Sequence, residues 1–223
     1  MTGVSDLFGG NMEVSQLLAQ FEKAVVDENE GDIKKFGKQL SALWNKVPRD
    51  SLRELEKVKS RLVKEEGSGA QFMLLLDLIN QNVILLPPEQ VPGQIYELSR
   101  LAGIRKEARG MFFFAWCLQE GCGCKKGSPR EVFGWLKKCA DSGFARAYYE
   151  VATRYAMGTG TKVDCQKAEF YFEKAVSANP EDYDSVTALA AIRIKQGKKA
   201  EAREYLRRAA PHREEARELE GLI

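Results

Sequence analysis

Histidine is almost missing from this 223-residue chain: His212 is the only one. It has no serine or cysteine near it in sequence and follows Pro211 among charged residues. It therefore reads as a solvated helix start rather than as a catalytic base or a metal ligand. Charge of one sign is missing too: 34 basic and 32 acidic residues leave a net +2. That balance gives no global electrostatic reason to bind nucleic acid or an anionic membrane, so neither is expected as a partner. No apolar run reaches the roughly 20 residues of a membrane span. The longest, "FMLLLDLINQNVILL" (72–86), carries Asp77, Asn80 and Asn82 and reads as a buried helix; if part of it stayed uncovered, a homodimer would be the simplest consequence. The first fourteen residues lack the basic and apolar regions of a secretion signal, so a cytoplasmic location is expected. No phosphate loop occurs, because the glycine pairs have neither a Walker lysine nor a preceding strand. "MFFFAW" (111–116) has no interleaved basic stripe for base stacking, so Met111, Phe113 and Phe114 read as core. The carboxylate pairs Glu65–Glu66, Glu181–Asp182 and Glu214–Glu215 read as solubilising charge. With these classes gone, no catalytic residue and no cofactor is assigned, and a non-enzymatic protein is expected.

What is present is helical periodicity. Leu17, Phe21, Ala24 and Val25 recur at helical steps, as do Ile33, Phe36, Leu40, Leu43 and Trp44, a run that Pro48 should end. A third helix is expected from about Ser51 to Glu65 through Leu52, Leu55, Val58 and Leu62, and an apolar one over 70–86. "PPEQVPG" (87–93) reads as an irregular connector, since its prolines cannot continue a helix. No stretch of comparable length alternates apolar and polar residues, so the chain is expected to be all-α.

Internal repeats organise the second half. Ala168, Phe172 and Ala175 match Ala202, Leu206 and Ala209 at 34 residues; Val132, Trp135 and Lys138 precede Ala168, Tyr171 and Lys174 by 36; Ala115 precedes Ala152 by 37, with both glycine pairs aligned. Each unit reads as helix, glycine loop, helix, turn. Ala115 and Ala152 are small enough for helices to cross closely, the glycines allow positive φ, and Ser128 and Asp164 stand at cap positions. One such hairpin cannot hide its apolar face alone, whereas a stack can.

Residues 109–179 resemble two Sel-one-like repeats, longer relatives of the tetratricopeptide repeat. "AYYEVATRYAMGTGTKVDCQKAEFYFEKAV" carries the pattern through Tyr155, Gly158, Gly160, Asp164, Lys167, Ala168, Lys174 and Ala175. The earlier copy keeps Gly121, Gly123, Trp135, Lys138, Ala140 and Gly143, while Leu118 replaces the tyrosine and Val132 the alanine. Residues 183–210 are similar to a plain tetratricopeptide repeat, and "GDIKKFGKQLSALWNKVPRD" (31–50) is faintly similar to its second helix. The resemblance implies a right-handed α-α superhelix, a solenoid of antiparallel helix hairpins. The expected organisation is a flexible, glycine-flanked tail over 1–11, a helical region over 12–92 that is either a degenerate tetratricopeptide-like stretch or a distinct module, repeats over 93–210 (109–143, 145–179, 183–210) and a capping helix over 211–223.

The resemblance also implies a concave face lined by the first helix of each unit. Carried over position by position, this face offers Arg109, Phe112 and Trp116, then Arg146, Tyr149 and Thr153, then Asp184, Thr187 and Ala191. Aromatics and fork-shaped arginine donors suit a peptide hot spot; packing of Phe112 and Trp116 on the preceding helix is the competing reading. The implied function is an adaptor or scaffold holding a partner peptide or helix. A bacterial effector, toxin antagonist or secretion chaperone on the same repeats is the alternative, since many relatives are bacterial.

Five cysteines, an odd number, favour free thiols over a disulfide framework. Cys122 and Cys124 occupy the variable places of the glycine loop; with Cys117 they are the candidates for a soft-metal site or a thiol-responsive regulator. Their C-x-C spacing lacks the C-x2-C geometry of zinc knuckles. Lys125 and Lys126 are expected to lower the thiol pKa. A structural loop with incidental thiols is the preferred reading.

Overall fold

The computed structural model describes residues 48–221 apart from 82, 83 and 85, with single positions at 17, 20, 23, 24, 31, 32, 35 and 39. The expected tail over 1–11 and the remainder of the two expected N-terminal helices lie outside the described residues. Among the described residues there is no strand, and ten helices follow one another. They are α1 (Pro48–Lys64), α2 (Gly69–Asn80), α3 (Val91–Ile104), α4 (Ala108–Glu120), α5 (Pro129–Asp141), α6 (Arg146–Met157), α7 (Cys165–Ala178), α8 (Tyr183–Lys195), α9 (Lys199–Ala209) and α10 (Glu214–Glu220). The chain divides into two compact units, Met1–Lys126 and Gly127–Ile223.

In the first unit, Leu55, Val58 and Leu62 of α1 fall at helical spacing and meet Phe72, Leu75, Leu76 and Ile79 of α2 and Leu98, Leu101 and Ala102 of α3. Burial of this size drives the unit together, each large side chain contributing about 1.5–3 kcal/mol. Lys59 is buried among this apolar surface. Its ammonium is compensated by Glu56 at 2.9 Å, the Gln94 amide oxygen at 2.9 Å and Glu97 at 2.5 Å, which ties α1 to α3. A Cβ on Gly110 would stand 2.4 Å from the Ala102 methyl, so α3 and α4 cross at glycine–alanine distance. The Glu107 carboxylate caps α4 by accepting from the Gly110 N–H.

Two sequence expectations change here. Pro92 sits in the first turn of α3, within the supposed connector; Pro48 begins α1, and the expected end of the helix before it lies outside the described residues. Proline is tolerated at a helix start because the first amides have no intrahelical partner to lose. The apolar helix stops at Asn80, not at 86: Gln81 caps it and the Ile84 N–H turns back to the Leu78 carbonyl at 3.0 Å, so Ile84 and Leu86 are buried from a loop. α2 itself is buried on most faces within its unit.

In the second unit, Ala147, Val151 and Ala152 of α6 are fully buried. Val186 and Ala190 of α8 pack with Leu206 and Ala209 of α9 and with Ala216 of α10. Ser128, Asp164 and Asp182 cap α5, α7 and α8, each accepting from the amide three residues on. The first two are the expected caps. His212 is not a helix start: α10 begins at Glu214, and the exposed imidazole stacks on Tyr183 at 4.0 Å.

Candidate functional site

The glycine loops set the scaffold. Gly121 and Gly158 end α4 and α6 in the left-handed conformation, at φ 77° and 74°, and the next amides return to the Cys117 and Arg154 carbonyls. The second glycine of each pair has another reason. A Cβ on Gly123 would lie 2.1 Å from the Pro92 carbonyl oxygen, and one on Gly160 would lie 2.1 Å from that of Pro129. Each loop therefore presses its backbone on the first turn of an upstream helix. Both the glycines and the prolines are 37 residues apart. This identical spacing is the signal, unused in the sequence reading, that α3 has the position of a second repeat helix.

On the second unit, α6 and α8 bring Tyr149, Thr153 and Asp184 together. Partial burial raises the Tyr149 phenol above its ordinary pKa; the Thr153 hydroxyl works the other way, and Asp184 adds to the rise. The Tyr149 ring lies 5.9 Å from that of Phe172. Arg146 is exposed and has no side-chain partner among the described residues. Asp184 is paired to Arg213 at 2.7 Å, and the Thr187 hydroxyl donates to the Tyr183 carbonyl at 2.7 Å, turned back on its own helix. Ala191 is half-buried.

On the first unit, Arg109 is already engaged: its guanidinium donates to both oxygens of Asp77, at 2.7 and 3.2 Å, linking α4 to α2. Phe112 is half-buried with its ring edge-on to Phe113 at 6.4 Å, and Trp116 is 44% exposed. Met111 and Phe114 are in the core and Phe113 packs against it.

The cysteine loop is tighter than its sequence suggested. The Cys117 carbonyl accepts from the Gly121 and Cys122 amides at 2.8 and 3.0 Å and from the Cys124 thiol at 3.5 Å. Cys117 is fully buried, with its sulfur 3.9 Å from the Ser99 hydroxyl. Burial pushes its pKa up to about 12. The expected lowering by Lys125 and Lys126 thus fails for this thiol, because apolar surroundings outweigh cations held in solvent. Among the described residues, no three histidine, cysteine, aspartate or glutamate side chains are grouped to hold a metal ion.

One cluster had no sequence signal. Arg193 of α8 is 7% exposed and meets Glu169 and Glu173 of α7, the latter at 2.9 Å, and Glu201 of α9 at 2.8 Å. In sequence it looks like one more solvated arginine.

Residues 164–223 match the family model of the tetratricopeptide repeat. Among solved structures, a Sel1 repeat protein from Oxalobacter formigenes superposes with a TM-score of 0.56 at 17% identity, over 79% of this chain and 74% of that one. The protective antigen c5321 of uropathogenic Escherichia coli, which displays an SLR fold, superposes with a TM-score of 0.59 at 17% identity, over 92% of this chain and 43% of that one. No curated protein matches the chain in sequence.

Proposed function

We propose that this chain, a helical-repeat protein with the Sel1-like, tetratricopeptide-like fold, is a non-enzymatic adaptor that holds a segment of a partner protein on the first helices of its repeats. The observation that carries the reading is the face on the second unit where Tyr149, Thr153 and Asp184 converge, with Arg146, which has no side-chain partner among the described residues, one turn earlier on α6. A half-buried phenol gives apolar area with a polar tip, and an unpaired guanidinium offers a fork to a carboxylate. Phe112 and Trp116 supply comparable area on the first unit; Arg109 contributes less, because a partner would have to displace Asp77. Five free thiols fit a reducing cytoplasm.

Affinity capture from the native host with mass-spectrometric quantification tests this, wild type beside Arg146→Ala/Tyr149→Ala. The expected result is a protein depleted about tenfold or more on the double variant, with helix content unchanged. An identical capture profile from both would remove the reading.

A further inference from the structure

The junction between the Gly158–Gly160 loop and the start of α5 also forms a surface cleft. It is a shallow, open cleft of ≈ 810 Å³. Phe133 lines it, half-buried, its ring fixed edge-on to buried Tyr155 at 5.2 Å and 82°. Gly134, Gly158 and Gly160 line it without side chains, and around Gly134 there is open space where a Cβ would stand. Arg130 and Lys162, both exposed, also line it, and among the described residues no carboxylate does. Asp164, which follows the loop, is taken up by capping α7 and by Lys167 at 2.8 Å.

The equivalent junction in the first unit, built on Pro92 and Gly123, carries different residues at the corresponding positions. Thirty-seven residues upstream, Gly93 stands for Arg130, and Glu97, paired to Lys59, stands for Gly134. The same backbone device is thus present twice, but only the second copy combines a bare glycine helix face with two cations.

The geometry points to a second docking site here, for an extended peptide of a partner protein in which one aromatic side chain is flanked by carboxylates. The aromatic ring fits against Phe133 and the glycine walls, and Arg130 and Lys162 take the acids. This site does not depend on the Tyr149 face, and either can fail without the other.

The test is fluorescence anisotropy with the fluorescein-labelled peptide Gly-Ser-Asp-Asp-Phe-Glu-Asp-Ser-Gly on the full chain. Saturable binding is expected, weakening as salt rises from about 50 to about 500 mM. It should fall at least fivefold, roughly, when alanine replaces the phenylalanine or serines replace the acids. Gly134→Leu fills the cleft where nothing obstructs it and removes a helix-weakening glycine, so it should fold and still lose about tenfold or more in affinity. Arg130→Ala/Lys162→Ala should lose a similar factor, and Arg146→Ala/Tyr149→Ala should bind like wild type. The assignment is overturned by any one of four results: absence of saturable binding, full affinity in Gly134→Leu, loss of binding in Arg146→Ala/Tyr149→Ala, or tighter binding of an oligothymidylate than of the peptide.

Discussion

At Gly160 the backbone has φ 76° and a Cβ would meet the Pro129 carbonyl at 2.1 Å, whereas Gly197 has φ 75° with nothing near and Gly134 is helical with open space beside it. These three glycines separate strain from clash. Gly134→Ala should stabilise the protein by about 0.5–1 kcal/mol through helix propensity. Gly197→Ala should cost about 1 kcal/mol for the left-handed backbone alone. Gly160→Ala should cost about 2–4 kcal/mol, because the carbonyl it meets is main chain. Urea denaturation of the three variants checks the order, and a Gly160→Ala as mild as Gly197→Ala would show that the loop does not press on α5. Cys117 gives a pH signature. Its folded pKa, about 12, lies above the unfolded thiol value near 9, so the folded state keeps a proton that the unfolded state has lost. Stability is therefore full below about pH 9 and falls as pH rises from there towards 12, by at most about 1.4 kcal/mol per unit and less where water screens the thiolate. Denaturant melts of wild type and Cys117→Ala across that window should show the extra slope only in the wild type. Parallel slopes would mean that the thiol ionises as easily folded as unfolded.

Helices α7, α8 and α9 are pinned by one guanidinium. Arg193→Met leaves Glu169, Glu173 and Glu201 facing one another without their cation, and since these carboxylates are partly exposed the expected loss is about 2–4 kcal/mol. Arg193→Lys should recover only part, because an ammonium cannot fork between helices. Thermal melts at low and high salt check this, with the deficit shrinking as the leftover repulsion is screened. Which elements were legible follows the same logic. Val132, Leu136, Ala168 and Phe172 carry a local period, and the caps Ser128 and Asp164 are adjacent to what they cap, so the repeat helices and their starts are readable. The end of α2 was not: the apolar residues continue to Leu86, and what stops the helix is the return of the Ile84 amide to Leu78. The cross-helix partners of Arg193 (Glu169, Glu173 and Glu201) and of Lys59 (Gln94 and Glu97) were not readable either, because each lies on another helix.

Over the whole molecule, a net charge of +2 built from interspersed signs predicts weak, non-specific affinity for polyanions. The protein should leave a heparin column below about 0.2 M salt; retention beyond that would reveal a basic face strong enough for nucleic acid. Length, charge balance, helical period and repeat spacing are properties of neighbouring residues, and they determined by themselves that this is an all-α chain of repeats with glycine-loop turns. Tertiary structure decided what each polar side chain has left to offer. Arg109 is neutralised by Asp77, Arg193 is buried among glutamates and Arg146 has no side-chain partner among the described residues, although all three are the same residue on the same kind of helix. A helical period fixes the face on which a side chain lies and its local pairs; for these three arginines, packing of one helix on another is what brings the carboxylate or leaves the space into which a partner can fit.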